Sequence, residues 1–223
     1  MIPVIVFGHS IPQGRSELDY ASNPPDFPVK GSVFDKRTIT VKELGRHIKM
    51  MMEYGKEAGE VDLGRAFAEK IMLTVAIENR CRHCYAAHTT FARNHGVSEE
   101  FIKWAEDLPE DKLGPEEYAA LRYARAWAEG EEQIADPGII EKLDQYYSEE
   151  EIAWINEMIV LMCFANRTAN TFDALLSRTK GKPRPRDDGG IGSELVLSGV
   201  FLMVAVPIEI YIKILNARLN KKF

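Results

Sequence analysis

The strongest constraint on the fold is helix punctuation. Thr40 is followed three residues later by Glu43, and Ser148 by Glu151. In each such capping box the two side chains satisfy orphan backbone donors of a helix's first turn. Beyond Thr40, Leu44, Ile48 and Met51 recur at helical spacing. Leu63, Phe67, Ile71 and Val75 then repeat every four residues, and Leu73, Ala76 and Ile77 make the second half of that segment apolar nearly all round. This predicts a buried helix from about Asp62 to about Glu78. A third helix starts near Cys81 and stops at Asn94-His95-Gly96, where Gly96 can take the left-handed position. Ser98 caps another; Pro115 fits a first turn that Gly130 later closes; the Ser148 helix runs to about Arg178. No stretch of real length alternates with period two, so the domain is expected to be all-α.

These signals divide the chain. Residues 1–37 carry Pro3, Pro12, Pro24, Pro25 and Pro28 among polar residues and read as an irregular arm packed over the domain. Residues 38–179 form the helical domain, and 180–191, rich in Pro and Gly, a polar linker. Residues 192–223 hold an extra C-terminal apolar helix. Within it Leu195 to Ile212 has Glu209 as its only charge and Pro207 as an expected kink. Its apolar residues show no preferred face, so it is expected either to pack on protein or to enter lipid. Basic residues flank both ends and give no orientation.

At 223 residues a substantial core can form without disulfide or metal staples. A formal net charge of -6 provides no basic field, which argues against nucleic acid as a partner. Three cysteines are too few, and odd in number, for an extracellular disulfide framework. The N-terminus lacks the basic region and long apolar run of a signal peptide. A cytoplasmic location is expected, with membrane attachment through 195–212 as the open question.

Two of the three cysteines stand in the segment Glu69-Lys-Ile-Met-Leu-Thr-Val-Ala-Ile-Glu-Asn-Arg-Cys81-Arg-His83-Cys84-Tyr-Ala-Ala-His88. At about 100° per residue, Cys84 and His88 fall within roughly 60° of Cys81 on one helix face. Cys84 and His88 are also an i, i+4 pair, so the imidazole can take a thiol proton directly or through one water. The helix N-terminus and the neighbours Arg80 and Arg82 would favour the thiolate, which is the nucleophile. Glu69, among Ala66, Leu73 and Ala76, needs a partner if buried, and His88 is the expected one. Glu78, by the turn Asn79-Arg80, is expected to be solvated.

The pattern Glu-x11-Cys-x-His-Cys-x3-His resembles the alkyl hydroperoxidase D-like (AhpD-like) branch of the carboxymuconolactone decarboxylase superfamily. The resemblance covers roughly residues 60–130, with looser support from Phe164-Ala-Asn166-Arg167 on a helix expected to pack over the site. It implies an AhpD-like helical bundle that assembles as a homo-oligomer. It implies Cys84 as the peroxidatic cysteine and Cys81 as the more exposed resolving cysteine that meets the reductant. Glu69, His83 and His88 would form a proton relay. The substrate would be a hydroperoxide, and the reductant a dithiol, thioredoxin-like or lipoyl. No cofactor and no metal are expected.

Other readings compete. The cysteines could be structural, or Cys81, Cys84 and His88 could bind zinc, although a fourth ligand is not evident unless Glu69 serves or water leaves an open catalytic site. A decarboxylase-type lyase would not need the thiols, and a redox-sensing interaction module would use the disulfide as a switch. Cys163, in an apolar run, is expected to be inert core. His9, His47 and His95 are expected on surfaces or loops, Met50-Met51-Met52 as adaptable packing, and Tyr85 as packed beside the motif.

Overall fold

In a computed structural model, the structure describes residues 38–130, 134, 136–181 and 190–219, with side chains through 214. The expected N-terminal arm and most of the linker lie outside them. Eight helices and one 3-10 turn (Glu110–Lys112) are present among the described residues, and no strand. The helices are α1 (Val41–Ala58), α2 (Arg65–Glu78), α3 (Arg82–Asn94), α4 (Glu99–Trp104), α5 (Pro115–Glu129), α6 (Pro137–Asp144), α7 (Glu149–Thr179) and α8 (Gly190–Leu219). The all-α expectation holds, with an apolar C-terminal helix.

The helix starts follow the local chemistry. Both capping boxes form, Thr40 with Glu43 and Ser148 with Glu151. Ser98 accepts from the Phe101 N–H, Pro115 opens α5 and Gly130 closes it. The second helix begins at Arg65, three residues later than its apolar period suggested. Asp62 accepts from the Gly64 N–H at 2.9 Å, and Gly64 has a φ of 92°, so a turn that only glycine adopts easily displaces the first helical turn. The short α6 was not foreseen, although Asp136, which caps Gly138, and Pro137 at the first helical position mark its start.

The long α7 is the axis of the bundle, packed by α1, α2, α5 and α8, while α2 also packs on α3 and α5. Ile71, Leu73, Leu121, Ile155, Ile159 and Met162 are fully buried between them. Each such side chain contributes about 1.5–3 kcal/mol of burial free energy. Tyr123 donates to Asn156 Oδ1 at 2.8 Å, and burial pushes its phenol up to about 12, so it stays a neutral donor.

Two expectations for α1 need correction. Ile48 is exposed, whereas His47, expected on a surface or loop, is fully buried. The buried edge runs through His47, Met51, Tyr54 and Ala58, a stripe turned one position from the one that Leu44 and Ile48 suggested. His47 fits there because Nδ1 can donate to the Glu43 carbonyl one turn back, at 3.0 Å. Met50 and Met51 pack against the core while Met52 is exposed. His95 is exposed, and Cys163 and Tyr85 are core residues. Glu78 is half-buried rather than solvated, because the turn beside it is not polar surface: Asn79 is buried under α7.

The C-terminal helix does have a preferred face. Glu194, Leu197, Ser198, Ala205 and Ile212 are buried against the bundle, and the helix continues through Pro207. Glu194 is fully buried and receives two hydrogen bonds of 2.7 Å from Arg178 of α7.

Candidate active site

The turn between α2 and α3 sets the geometry. Arg80 takes a φ of 54°, and Cys81 follows as the N-cap of α3, its Sγ accepting from the Cys84 N–H at 3.4 Å. Asn79 anchors the turn to α7: its carbonyl accepts from Asn170 Nδ2 at 2.9 Å, and its own Nδ2 donates to Cys163 Sγ at 3.3 Å. Cys81 is therefore 0% exposed and Cys84 9%. This reverses the expected order, in which Cys81 was the more exposed thiol. As a cap, Cys81 folds back over the helix start, beneath α7. All three cysteines are free thiols.

Cys84 instead lines a pocket of about 120 Å³ together with His83, Ala87, His88 and Phe91 of α3. Phe164, Ala165 and Thr168 of α7 form a second wall. The third wall belongs to α8, through Val200, Phe201, Val204, Ala205 and Ile208. The α8 contribution was not visible in the motif. Phe201 stands with its ring 5.4 Å from the His83 ring and 5.0 Å from Phe172.

Each pocket imidazole is held by a different carboxylate. His88 Nδ1 lies 2.7 Å from Glu69 Oε2, the expected pairing. His83 is not part of that pair: its Nε2 lies 2.9 Å from Asp173 Oδ1 on α7. A carboxylate accepts, so Nδ1 of His88 and Nε2 of His83 carry the protons, and in each neutral ring the other nitrogen keeps its lone pair. Asp173 also receives Arg82 in a bidentate pair, Nη2 to Oδ1 at 2.6 Å and Nε to Oδ2 at 3.1 Å. The positive charge that Arg82 was expected to place beside Cys81 is thus neutralised by Asp173.

Asp173 escaped the sequence reading although a signal exists. It is the only acid between Glu157 and Asp187, on a stretch of α7 that also buries Asn166, Arg167 and Asn170. The argument that demanded a partner for Glu69 demands one for Asp173. Among the described residues no group of three His, Cys, Asp or Glu side chains converges to hold a metal ion.

With this geometry in place, comparison with known proteins adds a family similarity over part of the chain. Residues 46–129 match the model of the carboxymuconolactone decarboxylase family. The match supports that superfamily, whose members are in general enzymes, including both peroxidases and decarboxylases. It spans Glu69, Cys81, His83, Cys84 and His88, and leaves Asp173 and all of α8 outside. No curated protein and no solved structure matches the chain.

Proposed function

We propose that the protein is a thiol peroxidase, or thiol–disulfide oxidoreductase, of the AhpD-like type that reduces a hydroperoxide at Cys84. The observation that carries this reading is the meeting of Cys84 with two carboxylate-held imidazoles in one largely apolar pocket. A decarboxylating lyase would leave the thiol in that pocket without a task.

His88, one turn beyond Cys84, takes the thiol proton on the nitrogen opposite Glu69. The thiolate attacks the nearer peroxide oxygen; an S–O bond forms and the O–O bond breaks. The departing alkoxide takes a proton from the imidazolium, giving an alcohol and the sulfenic acid of Cys84. Cys81 thiolate then attacks Cys84 sulfur, forming the disulfide as hydroxide leaves and is protonated to water. A dithiol reductant, thioredoxin-like or lipoyl, returns both cysteines to thiols. Because Cys84 lines the pocket and Cys81 does not, the reductant attacks Cys84 and Cys81 is the leaving thiolate. Assembly as a homo-oligomer belongs to the same reading.

Peroxide consumption with a dithiol reductant tests it. Cys84→Ser is expected to abolish turnover, and Cys81→Ser to leave a sulfenic acid that a dimedone-type probe captures on Cys84. Wild-type turnover in both variants would overturn the reading. Retained decarboxylation by a Cys81→Ser/Cys84→Ser double variant would favour the lyase instead. Stoichiometric oxidation without turnover would favour the redox-sensing module.

A further inference from the structure

One surface stands apart from the rest of the molecule. On the side of α8 turned away from the bundle, Ile191, Leu195, Val196, Met203 and Ile210 are all exposed, Met203 by 72%. Contiguous apolar area of this kind is not left to water by a soluble monomer. The face carries no free charge along its length. Of the two acids between Gly190 and Lys213, Glu194 is buried on Arg178, and Glu209 is largely covered and tied to Lys213 at 2.8 Å. The 25-residue run Gly190–Ile214 is long and apolar enough to cross a membrane.

We propose that this face docks on an anionic lipid bilayer, with α8 lying in the interface rather than crossing it. Two observations select that arrangement. The inner face is fastened to the bundle by the Arg178–Glu194 pair and by Phe201 on His83 and Phe172. A crossing helix would have to break both contacts and carry Glu194 unpaired into hydrocarbon. The second observation is charge. In the sequence, Lys180, Lys182, Arg184 and Arg186 come before the helix, offset in part by Asp187 and Asp188, and Arg218, Lys221 and Lys222 follow the apolar run. A second copy laid along α8, parallel or antiparallel, brings a basic end onto a basic end. Anionic headgroups complement both ends at once.

The docked face reaches the site. Val204 is 56% exposed and also lines the pocket, so the rim of the pocket opens on the side turned to lipid. The docking itself does not depend on the peroxidase reading.

Flotation of the full chain with phospholipid vesicles tests it without reference to activity. The chain is expected to float with vesicles containing phosphatidylglycerol and much less with phosphatidylcholine alone. High salt, which shortens the screening length from about 10 to about 3 Å, and alkaline carbonate are both expected to release it. Met203→Glu/Ile210→Glu should lower the bound fraction by about tenfold or more, since both charges enter the apolar boundary. Circular dichroism and the melting temperature should be unchanged, because both side chains are exposed. Four outcomes overturn the proposal: no flotation with either vesicle, equal flotation with both, retention through carbonate as for a spanning helix, or a lipid-free dimer that the double variant dissociates.

Discussion

The two imidazoles of the pocket are held in the same way but assembled differently. Glu69 and His88 are 19 residues apart, on consecutive helices inside the family-matched segment. Asp173 and His83 are 90 residues apart, and the acid comes from α7, outside that segment. The first pair can be composed from one antiparallel helix hairpin. The second exists only when the long helix is docked. The matched segment therefore carries the thiols and the first acid, whereas α7 and α8 hold the helix start in place and enclose it. Chemistry here is local and containment is not.

The largest effect expected from this division is structural. Asp173→Ala takes from Arg82 and His83 the buried carboxylate they share, which costs about 3–5 kcal/mol. Urea unfolding measures it, and Asp173→Asn, which keeps one acceptor, should lose less. A loss below about 1 kcal/mol in the alanine variant would break the comparison, since α7 would then not be holding the start of α3.

Glu69→Gln should behave in the opposite sense. Removing the carboxylate that orients a working imidazole should cost part of the roughly 10²–10⁴-fold that general acid–base catalysis contributes. The expected fall is in kcat, with a displaced pH profile and little change in unfolding midpoint. If Asp173→Asn displaced the pH profile equally, the two pairs would share the proton chemistry and the contrast would narrow to one of assembly alone.

Phe201→Ala is smaller again. The ring is half-buried, so the loss in stability should be about 1–2 kcal/mol, below that for a fully buried aromatic. It removes a wall of the pocket and the ring contact with His83 but leaves the Glu69–His88 pair intact, so KM should rise more than kcat falls. Steady-state kinetics with an organic hydroperoxide separates the two.

The same division explains how much could be read from the sequence. Caps and periodicity located α1, α2, α3, α5 and α7 because each signal acts within one or two helical turns. The pairing of Glu69 with His88 was legible because a buried acid and a motif histidine lie on adjacent helices. The burial of Cys81 was not, since it follows from the tie between Asn79 and Asn170 on α7. Nor was the fourth element of the site, α8. Its inner stripe of Glu194, Ser198, Phe201, Ala205, Ile208 and Ile212 is hidden by apolar residues on every other face, so the period gives no contrast. Asp173, the one acid on its stretch of α7, and Glu194, a lone acid in an apolar run, were each the clue, but the partner of each lies on another helix.

The smallest prediction concerns a motif that looks wholly local. Glu43 accepts from the Thr40 backbone N–H at 2.7 Å and hydroxyl at 2.8 Å. Burial pushes its carboxyl up, but those hydrogen bonds, with the charges of Arg167 and Arg46, outweigh burial and hold it below its ordinary value of 4.5. Arg167 is buried on α7, and its Nε and Nη2 have no hydrogen-bond partner among the described residues, so the charge of a local cap also serves a distant neighbour. A carboxyl lowered in the folded state adds stability above its unfolded value, and that contribution is lost as pH falls through the folded value. Glu43→Gln should therefore cost about 0.5–1 kcal/mol at neutral pH. The gap between wild type and variant should close as the pH drops below 4.5. Thermal unfolding across that range reads the difference, and a gap independent of pH would assign the whole effect to cap geometry rather than to the charge facing Arg167.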